Sequence, residues 1–230
     1  MSKQSDPFDT AMWEVYHKFY FHCDKHRFQK MFARYDLFRM IMDLPGDIVD
    51  AGVYKGTSTI LWAHLLDAYQ ANSRTKIIAF DTFEEEFSYV RADERAAVEI
   101  HQTSYDASAY DTLVAALERL GLSHRVELVK GDIVNEFPRY LADNPGFRIN
   151  LLHCDLDVYL PTANLLAAAW PRIVNGGIAV FDEYAVGSWG ESDAVDEVFA
   201  TLERPPRLKI LAASPTPTAY CVKGEHADEG

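Results

Sequence analysis

Apolar, β-branched segments of strand length alternate with longer segments of helical spacing along most of the chain. In the segment 57–69, Leu61 and Leu65 lie one helical turn apart, which is typical of a helix with one buried face. The flanking segments are short and rich in Ile and Val, as strands are. The pattern predicts strands at 46–53, 76–83, 125–132, 147–155, 176–184, 207–213 and 219–223, and helices at 57–69, 111–120, 162–170 and 193–202.

Strands that alternate with helices are typical of an α/β fold with a parallel sheet. We predict a doubly wound, Rossmann-like sheet of seven mostly parallel strands with helices on both faces. Only the segment 214–218 separates the last two strands, which predicts an antiparallel hairpin. The domain is predicted at 46–223, after a helical N-terminal extension at 1–45 and before a disordered tail at 224–230.

The composition favours one domain with a small-molecule partner. The 230 residues are 48% hydrophobic, which is enough for one large core, and no shift in composition divides the chain. The formal net charge of -13 disfavours a broad surface for nucleic acid or an anionic membrane, because phosphate binding depends on clustered Lys and Arg. We therefore expect neither as a partner.

The cysteines and the apolar segments bear on the cellular setting. Cys23, Cys154 and Cys221 are odd in number and lack C-x-x-C spacing, which argues against a disulfide framework and a thiolate zinc site. The polar start of the sequence does not resemble a signal peptide, and no run reaches the ~18 apolar residues of a membrane-spanning helix. We predict a soluble, cytoplasmic protein.

Carboxylates lie at or near the carboxyl ends of five predicted strands. Ligands of doubly wound sheets bind outside these strand ends. Gly131, beside one of these carboxylates, could let the chain border an adenine ring, although Gly-Asp is also common in simple turns. The five carboxylates are therefore candidates for a ligand site: Asp50, Asp81, Asp132, Asp155 and Asp182.

The first strand-to-helix turn, DAGVYKGTS at 50–58, could approach a ligand closely through Gly52 and Gly56. It matches neither G-x-G-x-x-G nor G-x-x-x-x-G-K-[ST], which weakens a dinucleotide or P-loop interpretation and leaves a purely structural turn open. Asp81 follows near the offset of roughly 20 residues at which a carboxylate binds ribose hydroxyls. A loop cap is the alternative role for Asp81.

Two pairs of acidic residues follow neighbouring strands, Asp155 with Asp157 and Asp182 with Glu183. Unpaired carboxylates this close would repel each other and raise their pKa values unless a cation binds them. Oxygen ligands without cysteine or a suitable histidine pair favour Mg²⁺, with Mn²⁺ or Ca²⁺ as alternatives. Capping of the following helices by solvated carboxylates is the other interpretation. His153 is expected in the core or behind the site rather than in catalysis.

Several ordered motifs recur in one known family. The family shows L-D-x-D-x-Y-x-x-T, then G-G-x-x-x-x-D-D-Y, then G-x-x-x-A-V-D-E-F/Y, and this chain has the similar segments LHCDLDVYLPT, GGIAVFDEY and WGESDAVDEVF in the same order. Upstream, the family shows E-x-G-V-W-R-G-G-S and Y-D-T-F-E-G, and this chain has GDIVDAGVYKGTS and FDTFEE. Over about residues 46–202 the chain thus resembles the macrocin O-methyltransferase (TylF-like) family. Asp50, Lys55 and Glu183 depart from the family pattern but keep its charge, and Val158 and Pro161 depart where the acceptor would be selected.

The resemblance implies a class I methyltransferase fold that binds S-adenosylmethionine and a divalent cation, Mg²⁺ or Mn²⁺. The cation would orient an acceptor hydroxyl, often on a sugar of a natural product. The resemblance also implies that Asp155, Asp182 and Glu183 bind the metal, and that Asp155 and Asp157 are catalytic, with Asp157 the candidate general base. The cofactor would contact Asp50, Gly52, Val53, Gly56, Ser58, Asp81, Thr82, Phe83, Gly131 and Asp132.

Segments outside the sheet are expected to select the acceptor. The charged and aromatic segment 84–105 could be a lid or a solvated helix. The aromatic segment 13–46 has helical spacing and could cover the acceptor, pair two subunits in a homodimer, or simply pack. Trp189 could also contact the acceptor.

Other functions stay open on the sequence. A nicotinamide-dependent oxidoreductase would use the same sheet, but G-x-G-x-x-G is missing. A binding or partner protein that has lost catalysis would keep the fold, although its acidic pairs are intact. A catechol- or caffeoyl-type O-methyltransferase is the nearest alternative acceptor class, and a cephalosporin-type partner enzyme is another.

Overall fold

The computed structural model describes residues 10–84, 87–212 and 214–227 of the chain. Eight α-helices and six strands alternate through most of this range. The helices are α1 (Thr10–His22), α2 (Lys25–Ile41), α3 (Thr57–Tyr69), α4 (Arg95–Gln102), α5 (Ala109–Leu120), α6 (Ile133–Asp143), α7 (Tyr159–Ala169) and α8 (Glu191–Ala200). The strands are β1 (Asp47–Ala51), β2 (Ile77–Asp81), β3 (Val126–Lys130), β4 (Ile149–Cys154), β5 (Ile173–Phe181) and β6 (Ala219–Val222).

The strands form one sheet in the order β3-β2-β1-β4-β5-β6. The first five strands are parallel, and β6 is antiparallel to β5. Chain order reverses beside β1, where β4 lies on the side opposite β2. This is the doubly wound, Rossmann-like α/β fold that the sequence predicts. Its carboxyl strand ends around β1 and β4 form the crevice in which such sheets bind ligands.

Successive side chains of a strand point to opposite faces of the sheet, and each face is covered by its own set of helices. Ile48 of β1 packs in a cluster with Phe38 of α2 and Trp62 of α3. Val49, its neighbour, packs on the other face with Phe137 of α6 and Leu165 of α7. The first helix of the predicted N-terminal extension, α1, has no buried residue, whereas α2 is part of the core.

The sheet has six strands in the described residues rather than the predicted seven. Of the predicted strand 207–213, the described residues 207–212 do not form a strand, and they meet β6 at an isolated bridge between Lys209 and Tyr220. A second isolated bridge joins Pro206 to His226, and Pro206 has no N–H with which to extend a ladder. The antiparallel partner of β6 is therefore β5, not the predicted hairpin strand.

The predicted tail at 224–230 is described as far as residue 227. Residues 1–9 and 228–230 lie outside the described residues. Within the predicted disordered tail, Glu225 accepts a backbone hydrogen bond from Arg207, and Ala227 donates one to Pro205. This part of the tail is thus bonded to the body of the protein. Among the described helices, none is long and apolar enough to cross a membrane.

Helix α6 was not predicted, although its sequence carries a signal. Ile133, Phe137 and Leu141 recur at intervals of four residues, and Asp132 caps the helix by accepting a hydrogen bond from the Val134 N–H at 2.9 Å. Ile133 and Phe137 are buried against the sheet. The helix fixes the direction in which the chain leaves β3, and hence the position of Asp132 beside the crevice.

Arg125, just before β3, holds the connection between α3 and β2. Its guanidinium is 3% exposed and donates to four backbone carbonyls at 2.9 to 3.3 Å. These carbonyls belong to a partly exposed segment without regular structure, which the buried guanidinium ties to the start of β3. The acceptors are Gln70, Ala71, Ser73 and Thr75.

We expect Arg125→Met to lower the free energy of unfolding by about 2 kcal/mol, because hydrogen bonds from a buried charged group are lost. Urea unfolding followed by circular dichroism measures the change. Arg119→Met, which removes an exposed guanidinium from the last turn of α5, is the matched control and should change the value by less than about 0.5 kcal/mol. Equal midpoints for the two variants would contradict this role of Arg125.

Candidate functional site

A cleft of about 390 Å³ lies at the carboxyl ends of the parallel strands. Helix α2, the segment around α4 and the turn before α8 close its sides. Of the predicted site residues, ten line it: Gly52, Asp81, Thr82, Phe83, Gly131, Asp132, Asp155, Asp157, Asp182 and Glu183. The structure thus brings both ends of the predicted site, the turn after β2 and the acidic pairs, into one cavity.

Asp81 organises one end of the cleft. One of its carboxylate oxygens accepts the Tyr54 N–H and the other accepts the Phe83 N–H, both at 2.7 Å. The Gly131 N–H donates to the Asp81 carbonyl at 2.9 Å, which draws the turn after β3 to the same place. The Asp81 carboxylate is therefore fixed between two backbone turns at this end of the cleft, and these bonds are those of a loop cap.

Four predicted cofactor residues do not line the cleft. Asp50 is fully buried, and its oxygens accept the Ser58 hydroxyl at 3.1 Å and the Thr59 hydroxyl at 2.6 Å. Asp50 therefore fixes the start of α3 from behind the cleft wall. The predicted residues outside the lining are Asp50, Val53, Gly56 and Ser58.

Gly52 joins the two ends of the cleft. Its φ of +90° is one that side chains disfavour, and a Cβ at this position would lie 1.7 Å from the carbonyl oxygen of Asp155. The Asp155 N–H donates to the carbonyl of Ala51 at 2.8 Å. The turn after β1 and the end of β4 are thus in direct backbone contact, which only glycine permits.

The other end of the cleft is strongly acidic. Burial first, and then the nearby carboxylates Asp182 and Asp157, raise the pKa of Asp155 well above its usual range. Burial and Glu183 raise the pKa of Asp157 to about 7. Burial and Asp182 raise the pKa of Glu183 to about 7 as well. These three carboxyls thus share one end of the cleft, where neighbouring negative charge and burial both disfavour their ionised forms.

Asp182 is the exception, because basic side chains surround it. Lys30 Nζ lies 3.5 Å from Oδ2, Arg34 lies 4.0 Å from Oδ1, and His153 Nε2 lies 3.4 Å from Oδ1. Burial raises the pKa of Asp182, but the hydrogen bond and charge of His153, with Lys30 and Arg34, outweigh burial and lower the pKa to about 2. For His153, burial acts to lower the pKa, because it disfavours the charged imidazolium. The hydrogen bonds to Asp182 and Asp50 outweigh burial and raise the pKa of His153 to about 9.

Asp155, Asp182 and His153 each offer a ligand atom, and these atoms lie within 4.8 Å of one another. Among the described residues this is the group whose spacing could hold a metal ion. The oxygens of Asp182, which is buried, and of Asp155, which is half-buried, are the kind of ligand that a divalent cation prefers. The predicted third ligand, Glu183, lines the cleft but is not in this group, and His153 is in it instead.

Asp157 is held in a strained position beside the acidic group. Its φ is +63°, unusual for a residue other than glycine, and its side chain is nearly buried. The ring of His101 lies next to it, with Nδ1 3.9 Å from Oδ2. Strain of this kind is found where the surrounding structure fixes a side chain for function.

Aromatic side chains form a wall beside Asp157, and of these the sequence indicated only Trp189 as a site residue. The ring of His101 packs edge-on at 5.3 Å from Phe87, 5.6 Å from Tyr54 and 6.3 Å from Trp189. His101 belongs to α4, inside the segment 84–105, so that part of this segment borders the cleft as a helix. No motif links these rings, since they come together only through the fold.

A profile of the family described as "Macrocin-O-methyltransferase (TylF)" matches residues 23–199, which is more than half of the chain. The chain belongs to the macrocin O-methyltransferase family. The matched range begins before α2 and ends in α8, so it includes both the cleft and the basic residues of α2 that face Asp182.

Two curated relatives are similar to this chain over about two thirds of its length. The chain is 30% identical over 156 residues to the mycinamicin III 3''-O-methyltransferase of Micromonospora griseorubida, covering 65% of this chain and 59% of that protein. It is 29% identical over 174 residues to the 8-demethyl-8-(2,3-dimethoxy-alpha-L-rhamnosyl)-tetracenomycin-C 4'-O-methyltransferase of Streptomyces olivaceus, covering 69% and 64%. The chain thus spans about six tenths of the length of these curated relatives.

The fold also matches that of a solved methyltransferase structure. The crystal structure of CalS11, a calicheamicin methyltransferase, is 29% identical and covers 96% of this chain and 88% of that chain, with a TM-score of 0.78. The similarity in fold therefore covers nearly all of this chain.

Proposed function

We propose that this protein is an S-adenosylmethionine-dependent O-methyltransferase that acts, with a divalent metal, on a hydroxyl of a small molecule, most specifically on a sugar of a natural product. The observation that carries the proposal is the single cleft that has a nucleotide-type carboxylate, Asp81, at one end and the buried acidic group at the other. Family membership supports methyl transfer, and the names of the two relatives given above support a natural-product acceptor.

The residues near Asp81 would hold the cofactor. Asp81 would accept the ribose hydroxyls, Gly131 and Asp132 would border the adenine, and Gly52 would let the methionine part pass close to the backbone. Asp50, Ser58, Gly56 and Val53 would support the turn from behind, because they lie outside the cleft lining. Thr82 and Phe83 complete the wall. The cofactor supplies an activated methyl group on sulfur, and the protein has chiefly to align an acceptor oxygen with it.

Asp155 and Asp182 would hold the metal, Mg²⁺ or Mn²⁺, with Glu183 within the same end of the cleft. A bound divalent ion lowers the pKa of a hydroxyl that it contacts and fixes its position. Asp157 would then accept the proton of the acceptor hydroxyl on its carboxylate as general base. Its strained backbone and its contact with His101 direct the carboxylate into the cleft.

The aromatic wall suits a sugar or another ring-shaped acceptor. Phe87 and Trp189 flank His101 near Asp157, and a flat apolar surface of this kind can pack against the C–H face of a sugar ring while the hydroxyls face the acidic end. An acceptor bound there would exclude water from the reacting oxygen. The formal net charge of -13 agrees with a partner that is neither nucleic acid nor an anionic membrane. The three free cysteines suit a cytoplasmic setting.

Asp182→Ala should reduce methyl transfer by a factor of about 100 or more, because the metal and the acceptor hydroxyl lose their fixed position. The binding of S-adenosylhomocysteine should stay within about threefold of the wild-type value, since Asp182 lies away from the cofactor end. The measurement is transfer of a labelled methyl group from S-adenosylmethionine to a glycosylated acceptor found by screening, with calorimetry for the cofactor. Glu203→Ala, an exposed change, is the control. Retained turnover in Asp182→Ala would overturn the metal assignment.

A homodimer is proposed from helix α1. None of its residues is buried, yet it carries several large apolar side chains, among them Val15 at 64% and Phe21 at 79% exposed. A helix that is apolar on more than one side is normally covered. Light scattering should give twice the chain mass of 26.1 kDa. The double variant Val15→Glu with Phe21→Glu should give the single mass, and a monomeric wild type would contradict the proposal.

A further inference from the structure

His153 occupies the centre of the sheet between two of the predicted site residues. The β4 strand lies between β1 and β5, and its register pairs His153 with Asp50 on one side and Val180 on the other. Side chains at paired positions share a face, and Asp182, two residues after Val180, lies on that face too. The sheet alone thus places Asp50, His153 and Asp182 on one face, with Asp50 directly beside His153 and Asp182 diagonal to it.

The Nδ1 side of the ring is anchored to the turn at the start of α3. Nδ1 lies 2.7 Å from Oδ1 of Asp50, and the other oxygen of Asp50 accepts the hydroxyls of Ser58 and Thr59. Trp62 packs edge-on against the ring at 6.1 Å between centroids. The imidazole is fully buried, so these contacts leave it little freedom to rotate.

The Nε2 side faces the inner oxygen of Asp182. Nε2 lies 3.4 Å from Oδ1, and the guanidinium of Arg34 approaches the same oxygen at 4.0 Å. The outer oxygen, Oδ2, meets Lys30, which lines the cleft. The inner oxygen of Asp182 is therefore held from within the protein, and the outer one is turned towards the cleft.

We propose that His153 is a positioning residue. By donating a hydrogen bond from Nε2 to Oδ1 of Asp182, it keeps Oδ2 of Asp182 directed at the metal. Through its bond to Asp50, it also ties this ligand to the turn at the cofactor end. The inference rests on the proposed metal site. Removal of a residue that orients a ligand carboxylate in this way typically weakens metal binding by 10- to 100-fold. Nothing in the L-D-x-D motif required a histidine two residues before Asp155.

The rival role is that of a metal ligand, because a ring nitrogen of His153 lies within 4.8 Å of ligand atoms of Asp155 and Asp182. The hydrogen bonds favour positioning instead. Both nitrogens face carboxylate oxygens, and each contact is attractive only when the nitrogen donates its hydrogen. A nitrogen that donates has no lone pair left for a metal.

Two amide variants separate these roles. In His153→Gln the amide nitrogen reaches the place of Nε2 and can still donate to Asp182. In His153→Asn it reaches only the place of Nδ1 and can donate to Asp50. Both side chains are neutral, so the change in charge beside Asp182 is the same. The probe is Mn²⁺ alone, titrated into each protein by calorimetry, with thermal unfolding recorded alongside and Thr59→Val as a variant that weakens only the anchoring of Asp50.

We expect His153→Asn to bind Mn²⁺ 10- to 100-fold more weakly than His153→Gln, and Thr59→Val to bind it within about threefold of wild type. Equal Mn²⁺ affinities of the two amide variants would overturn the inference, since a merely structural role affects both alike. If the wild-type protein binds Mn²⁺ and the two amide variants bind it with equal affinity, the positioning role fails and the proposed metal site stays intact. Wild-type protein that binds no Mn²⁺ would overturn both.

A measurement on the wild-type protein covers the case in which the variants do not fold. Pulsed electron paramagnetic resonance of the Mn²⁺-loaded protein detects nitrogen bonded directly to the ion. A spectrum without strong nitrogen coupling is expected, because the ion would be held by oxygen and His153 would act through Asp182. Strong nitrogen coupling would show His153 to be a ligand and would overturn the positioning role.

Discussion

The site depends on the close approach of two backbones, that of Gly52 after β1 and that of Asp155 after β4. Because Gly52 has no side chain, the carbonyl of Asp155 can lie where a Cβ would stand, and its N–H can bond Ala51. This contact sets the distance between the turn that would hold the cofactor and the carboxylates that would hold the metal. Methyl transfer requires such a fixed distance, since alignment of the acceptor oxygen with the methyl group is the main task of the protein.

Charge is distributed unevenly within the cleft, and that distribution gives the carboxylates different roles. Asp182 is paired with Lys30, Arg34 and His153, so it stays ionised, whereas Asp155 and Asp157 have raised pKa values and lack comparable partners. The cations beside Asp182 come from α2 and β4, distant in the sequence. A bound divalent ion would neutralise the remaining excess of negative charge and would have to displace Lys30 from Oδ2.

The sequence predicted the elements that a local pattern defines. Strand and helix spacing gave the doubly wound fold, and the carboxylates at strand ends, such as Asp81 and Asp182, lie in one cleft as expected because parallel strands end at one edge of the sheet. Residues 207–213 have the apolar composition of a strand, but whether a strand pairs depends on a neighbour that composition does not reveal. The outcome there is one isolated bridge at Lys209.

The parts of the site that the sequence missed are those assembled from distant segments. His101 reaches Asp157 across 56 positions only because α4 folds back over the cleft, and Lys30 reaches Asp182 only because α2 packs on the sheet. Asp50 was expected to contact the cofactor, yet the structure places it behind the wall, where neighbouring strands bring His153 to it. Motif spacing fixes which residues share a turn, whereas burial and hydrogen-bond partners depend on tertiary packing.

The central claim is that one cleft binds the cofactor at its Asp81 end and a metal at its acidic end. Calorimetric titration with S-adenosylhomocysteine, run with Mg²⁺ and again with EDTA, tests it most directly. We expect binding in both runs with similar affinity, because the metal would serve the acceptor and not the cofactor. No binding in either run would contradict the account.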